Sequence, residues 1–126
     1  MREYYRTRVS EIWVDDENIM HIEFGIGVEL SLEDMQEGYA VFRELGIGPG
    51  QRKGKQLLSG GPFTISKEAR EFAAHTGTDY FVAAAMVTKS NLMRLVINTF
   101  NLLHKHDVPF KVFSTEEEAL AWLRTI

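Results

Sequence analysis

Positions 80–87 read YFVAAAMV and contain no charged side chain. A strand with one face in water alternates apolar and polar residues, and this segment shows no such alternation. Central strands of parallel sheets are apolar in this way because both of their faces are covered. The segment therefore predicts a parallel sheet, which requires helical crossovers between its strands.

Strands and helices alternate on both sides of this segment. Before it, positions 56–65 predict a strand and Ser66 to Thr76 a short helix that ends at Gly77. After it come a short strand over 110–113 and a C-terminal helix that opens with a capping box at Thr115. A helix over 91–105 lies between the two strands, and its predicted inward residues are Leu92, Met93, Val96, Ile97, Phe100 and Leu103.

The N-terminal third predicts a hairpin and then a helix. Positions 7–14 are rich in β-branched and aromatic residues, and the polar turn 15–18 leads into positions 20–30, whose even members are all apolar. That alternation predicts one strand over 20–30, and Ser31 with Asp34 forms a capping box for a helix over 31–45. The order β-β-α-β-α-β-α-β-α predicts a single α/β domain over residues 1–126, with an N-terminal hairpin followed by alternating helices and mostly parallel strands.

Two stretches resemble a known family. Positions 58–66, LSGGPFTIS, are similar to the strand that delivers a phosphorylatable serine to a helix start in the STAS domains of anti-sigma-factor antagonists, the SpoIIAA-like group. Positions 112–123, VFSTEEEALAWL, resemble the ending F-x-x-x-x-E-A-L-x-W-L of SpoIIAA-like proteins. The chain departs from the family at the switch itself, where Ile65-Ser66-Lys67-Glu68 stands in place of Asp-Ser-Ser-Gly.

The resemblance implies a STAS-like fold and a non-enzymatic regulatory module that interacts with other proteins. Ser66 would be its phosphate acceptor, although by its position Ser66 is also an N-cap whose hydroxyl accepts from the backbone N–H of Glu68 or Ala69. Some SpoIIAA-like relatives are compared with SEC14-type lipid-binding modules, which implies instead an apolar ligand or a membrane surface. A small enzyme is the third interpretation.

A glycine-rich basic loop spans positions 46–55. It is not a P-loop, because its glycine spacing is wrong, Gln56 follows Lys55, and the loop leads from a helix into a strand. Arg52, Lys53 and Lys55 are candidates for contact with anions or lipid head groups, and the alternative is a plain connector.

Catalytic and metal-binding patterns are sparse. The chain has no cysteine, no G-x-S-x-G elbow and no H-E-x-x-H motif. The segment His104–Asp107 is interpreted as charge at a helix end rather than as part of a metal site. We therefore expect no cofactor, no metal and no hydrolase activity.

Composition limits the partners. A net charge of −4 argues against duplex nucleic acid as the main partner. No apolar run reaches the ~20 residues of a membrane span, and the N-terminus has no secretory signal. The expected location is therefore the cytoplasm. Leu95 and Leu102 lie seven positions apart, off the main apolar stripe of the 91–105 helix, while Gly25 and Gly27 leave a strand face bare. These leucines either pack under a neighbouring helix or form a patch for a homodimer or a protein partner.

Overall fold

The computed structural model describes residues 4–95 and 108–126. Eight strands lie in these ranges: β1 Tyr5–Arg6, β2 Ser10–Val14, β3 Ile19–Phe24, β4 Glu29–Leu30, β5 Gly54–Gly60, β6 Thr64–Ile65, β7 Phe81–Val87 and β8 Phe110–Phe113. The helices are α1 Leu32–Glu44, α2 Lys67–Thr76 and α3 Glu116–Leu123, with a 3₁₀ turn over Gly77–Asp79. Residues 91–95 are also helical.

The main sheet has six strands in the order β1-β2-β3-β5-β7-β8. The pairs β1–β2 and β2–β3 are antiparallel, and the pairs from β3 to β8 are all parallel. β7 lies between β5 and β8, which explains why its sequence carries no charge. The prediction of an α/β domain with an N-terminal hairpin and a mostly parallel sheet is confirmed.

The strand predicted over 20–30 is wrong beyond Phe24. The chain leaves the sheet at Gly25, Ile26 is 83% exposed, and Gly27 has a positive φ of 74°. β4 follows and pairs in parallel with β6 as a separate two-stranded sheet. The even positions stay apolar in both strands because Phe24 and Leu30 are both buried, although they belong to different sheets.

The strand predicted over 56–65 is likewise divided in two. β5 ends at Gly60, whose φ is 84° and whose missing Cβ would lie 2.2 Å from the carbonyl oxygen of Phe24. Only glycine fits this close approach. The next peptide bond, Gly61–Pro62, is cis, and the chain then enters β6 and α2.

Each face of the main sheet has its own apolar core. One face packs against α1 and α2, and Phe42, Met20, Ile22 and Met86 are among its buried residues. The other face packs against α3, through a smaller core that includes Leu57, Ala85 and Leu123. No helix within residues 4–95 and 108–126 has the length and apolar character needed to cross a membrane.

Candidate functional site

A cavity of about 440 Å³ lies between the main sheet and the helices α1 and α2. Alternate residues of a strand point to the same face of a sheet, and the residues of β3, β5, β7 and β8 that face the cavity are almost all apolar. They are Ile22, Phe24, Gln56, Leu58, Phe81, Ala84, Met86 and Phe110. Met35, Tyr39 and Phe42 from α1, with Ala73 and Ala74 from α2, line the opposite wall.

The cavity leaves the centre of the sheet incompletely covered. β5 lies between β3 and β7, where side chains on a covered face are normally fully buried, and Leu57 on its other face is 0% exposed. Leu58 and Gln56, which point toward the cavity, are only half-buried. Packing in this domain is therefore tight on the α3 face and open on the face of α1 and α2.

The cavity reaches the surface at one edge of the sheet. Gly27, Pro62 and Leu92 line it and are solvent exposed, and they follow the carboxyl ends of β3, β5 and β7. Ligands of open α/β sheets bind at this edge. Leu92 was predicted to face inward, and this is wrong, since its side chain is 70% exposed at the cavity rim.

Two buried or half-buried polar side chains of the cavity wall have no hydrogen-bond partner within the described residues. The Gln56 carboxamide is surrounded along its row by Met20 on β3 and Ala84 on β7, neither of which offers a polar side chain. The hydroxyl of Tyr39, a residue only 6% exposed, is the second. A carboxamide carries no charge, and burial raises the pKa of Tyr39, so both groups are neutral at pH 7.

Two charged side chains of the described residues line the cavity, Asp34 and Arg70, and they differ in how many hydrogen bonds they make. Asp34 receives Arg8 Nε at 3.0 Å and Arg8 Nη2 at 2.5 Å, and the backbone N–H of Ser31 at 3.0 Å. The hydrogen bonds from Arg8 lower the pKa of Asp34 to about 2; burial acts in the opposite direction, and the hydrogen bonds from Ser31 lower the pKa further. Arg70 donates from Nη1 to the carbonyl of Ile65 at 3.2 Å.

Ser66 is the N-cap of α2. Its hydroxyl accepts from the backbone N–H of Ala69 at 3.1 Å, one of the two donors expected from the sequence. Ser66 is half-buried, and its own backbone N–H donates to the carbonyl of Leu30 at 2.9 Å. The structure thus assigns Ser66 a capping role, and phosphorylation at this residue stays a prediction.

The basic residues of the 46–55 loop do not converge on the cavity. Arg52 and Lys53 are exposed ahead of β5, at the edge opposite the cavity rim, and neither lines the cavity. Lys55 is not in the loop, because β5 begins at Gly54, and its side chain points to the α3 face. Contact of these residues with anions or head groups stays a prediction.

The structure describes only one of the two leucines of the predicted interaction patch. Leu95 is 62% exposed, whereas Leu102 lies outside the described residues, as does the segment His104–Asp107. Gly25 and Gly27 lie in the turn after β3 rather than on a strand face. The interaction patch is therefore neither assembled nor excluded.

A second polar cluster joins the hairpin to α3. Nε2 of His21 lies 2.8 Å from Oδ2 of Asp15, and Nδ1 lies 3.6 Å from Oε1 of Glu116. Trp13 stacks on the His21 ring at 5.0 Å. Burial raises the pKa of Asp15, but hydrogen bonds from His21 and from backbone N–H groups outweigh burial, so the pKa is lowered overall.

Across residues 4–95 and 108–126, no three His, Cys, Asp or Glu side chains are grouped as a metal site.

Sequence reasoning missed Gln56 and Tyr39. A usable signal existed for Gln56, because it shares a face with Leu58 in a strand whose neighbours are apolar, and a polar residue there interrupts the pattern. No such signal marked Tyr39, since a tyrosine on the inner stripe of a helix usually packs in the core.

The fold has a relative among solved structures. A crystal structure from Shewanella loihica PV-4, described as an uncharacterized protein of the DUF3478 family with a SpoIIAA-like fold, aligns with a TM-score of 0.59. The alignment covers 98% of this chain and 92% of that chain at 17% identity, which shows a shared SpoIIAA-like fold.

Comparison of sequences is more specific about the family. A search of curated proteins gives no match to this chain. The family described as a domain of unknown function, DUF7793, matches residues 12–126, which is nearly the whole sequence. The chain therefore belongs to the DUF7793 family.

Proposed function

We propose that this protein is a non-enzymatic binding module that holds an apolar small molecule in the cavity between the main sheet and α1 and α2. The half-burial of Leu58 in a central strand is the observation that carries the proposal. Protein interiors are packed to crystal-like density, and voids much larger than a water molecule are few. A space of about 440 Å³ falls instead in the range of small-molecule sites, which are mostly apolar and carry a few polar groups.

The position of the cavity supports the same proposal. Its rim of Gly27, Pro62 and Leu92 gives a route from solvent along the carboxyl ends of the parallel strands. An apolar molecule that entered there would cover Leu58, which the protein itself leaves partly exposed. Burial of apolar surface contributes ~25 cal/mol per Å², so covering this wall would favour binding.

Filling the cavity tests the proposal. The neutral dye N-phenylnaphthylamine fluoresces when it enters an apolar site, and we expect the wild-type protein to bind it. Ala84→Leu places a larger side chain in the cavity wall and should lower the affinity at least tenfold without loss of stability. Val82→Leu is the matched control, because Val82 is in the same strand, is 41% exposed and does not line the cavity. Equal dye binding by wild type and Ala84→Leu, or none by wild type, would contradict the proposal.

A regulatory role through Ser66 is a second candidate function. Its support is that the Ser66 hydroxyl caps α2, a helix whose Arg70, Ala73 and Ala74 line the cavity, so a phosphate there would add about two negative charges at the start of that helix. Ser66→Asp retains a capping oxygen and adds charge, whereas Ser66→Ala removes the cap at a cost of about 1 kcal/mol. We expect Ser66→Asp, and not Ser66→Ala, to lose a protein retained by wild type from extracts of the native host. Equal retention by wild type and Ser66→Asp would rule out the switch.

A further inference from the structure

The chemistry of the cavity wall limits what the cavity can hold. Seven cavity-facing positions of β3, β5, β7 and β8 are apolar, and Gln56 interrupts them: Ile22, Phe24, Leu58, Phe81, Ala84, Met86 and Phe110. The Gln56 side chain offers two N–H donors and one carbonyl acceptor, and it has no hydrogen-bond partner among the described residues. A half-buried amide without a partner is costly, because its hydrogen bonds to bulk water are partly lost.

We propose that the cavity ligand is an uncharged amphiphile, such as a long-chain alcohol or primary amide, whose polar group hydrogen-bonds the Gln56 carboxamide. This inference rests on the proposed function. The ligand's polar group would both donate to the Gln56 carbonyl and accept from its amide nitrogen. Its apolar chain would extend along Leu58 and Phe24 toward the rim, which lies at the carboxyl end of the same strand.

The groups around the cavity favour an uncharged ligand. Gln56 and Tyr39 are both neutral, and Asp34 is already paired with Arg8 and Ser31. A charged head group next to Gln56 would lose its hydration without gaining an opposite charge, and that is strongly unfavourable. Arg70 is the one cation of the described wall, and its Nη1 already donates to the carbonyl of Ile65.

Competition with the bound dye tests this inference. Dodecanol should displace N-phenylnaphthylamine at a concentration well below dodecanoate, and Gln56→Leu should weaken dodecanol by about 3- to 10-fold, the range for one hydrogen bond. Displacement by decylbenzene, which has no polar group, should be unchanged or improved in the same variant. Gln36→Leu is the matched control, because Gln36 is exposed on α1 and does not line the cavity.

The possible failures are separable. If wild-type protein binds the dye but Gln56→Leu leaves dodecanol affinity unchanged, the Gln56 inference is wrong and the proposed function stands. Tighter binding of dodecanoate than of dodecanol, lost in Arg70→Gln, would also overturn it, since the ligand would then be an anion. Failure of the wild type to bind dye and every competitor would refute the proposed function together with the inference.

Discussion

Removing the charge of Asp34 by the substitution Asp34→Asn should lower the free energy of unfolding by about 1 to 2 kcal/mol at pH 7. The Asp34 carboxylate is 8% exposed and joins two parts of the chain, the approach to β2 through Arg8 and the start of α1 through Ser31. Asparagine has nearly the same shape and can still accept from Ser31. The substitution therefore removes charge while it preserves most of the packing.

The magnitude follows from the pKa of Asp34, which falls from 3.8 to about 2 in the folded protein. Each pKa unit corresponds to ~1.4 kcal/mol, which gives an upper bound of ~2.5 kcal/mol. The side chain of Arg8 is 65% exposed, so water screens the pair and the expected value is smaller.

The sign of the pH dependence also follows. A carboxyl with a lowered folded-state pKa stabilises the protein fully above its unfolded pKa, and that contribution is lost as the pH falls toward the folded value. The stability difference between wild type and Asp34→Asn should therefore be constant above about pH 5 and shrink between the unfolded value of 3.8 and about 2.

Urea unfolding followed by the fluorescence of Trp13 and Trp122 measures this difference at pH 7 and at pH 3. Glu33→Gln is the matched control, because Glu33 is exposed in the same turn of α1 and has no arginine partner in the described chain. A pH-independent difference, or one no larger than that of Glu33→Gln, would show that Arg8 and Asp34 are not coupled as we infer.

Three further outcomes are expected from urea or thermal unfolding. Leu57→Ala should cost about 2 to 5 kcal/mol, because Leu57 is fully buried against α3, and a smaller loss would mean that α3 collapses into the space. Gly60→Ala should lower the free energy of unfolding by about 3 kcal/mol or more, because the added Cβ would collide with the carbonyl oxygen of Phe24. Gly50 also has a positive φ but lies in open space, so Gly50→Ala should lower it by only about 1 kcal/mol. Arg124→Gln should leave the urea midpoint unchanged, because its ion pair with Glu17 is half exposed on both sides, and a clear shift would point to a role beyond that pair.

The elements that sequence predicted well are those whose pattern has one physical cause. Tyr80 to Val87 lacks charge because both faces are covered, and Ser31 with Asp34 marks a helix start because both groups complete backbone hydrogen bonds there. The break after Phe24 was missed because Ile26, Val28 and Leu30 keep the alternation of β3. Glycine at positions 25 and 27 was the available signal, but glycine is also compatible with a strand.

The cavity could not be predicted from the sequence for a different reason. Leu58, Ala84 and Met86 follow the same alternation whether the helices above them pack tightly or leave a space. Periodicity reports which residues face inward and carries no information about the volume that they enclose. The position of Ser66 at a helix start was predictable because capping is local, whereas its relation to the cavity depends on how α2 lies on the sheet.

The short sheet of β4 and β6 ties together the two helices that cover the cavity. Glu29 pairs with Thr64 and Leu30 with Ile65, and the residue that follows each strand, Ser31 or Ser66, caps a helix. The N-termini of α1 and α2 are thus anchored side by side at the same level. Neither helix can move away from the main sheet alone without breaking this pairing, so a displacement of one helix would have to carry the other with it.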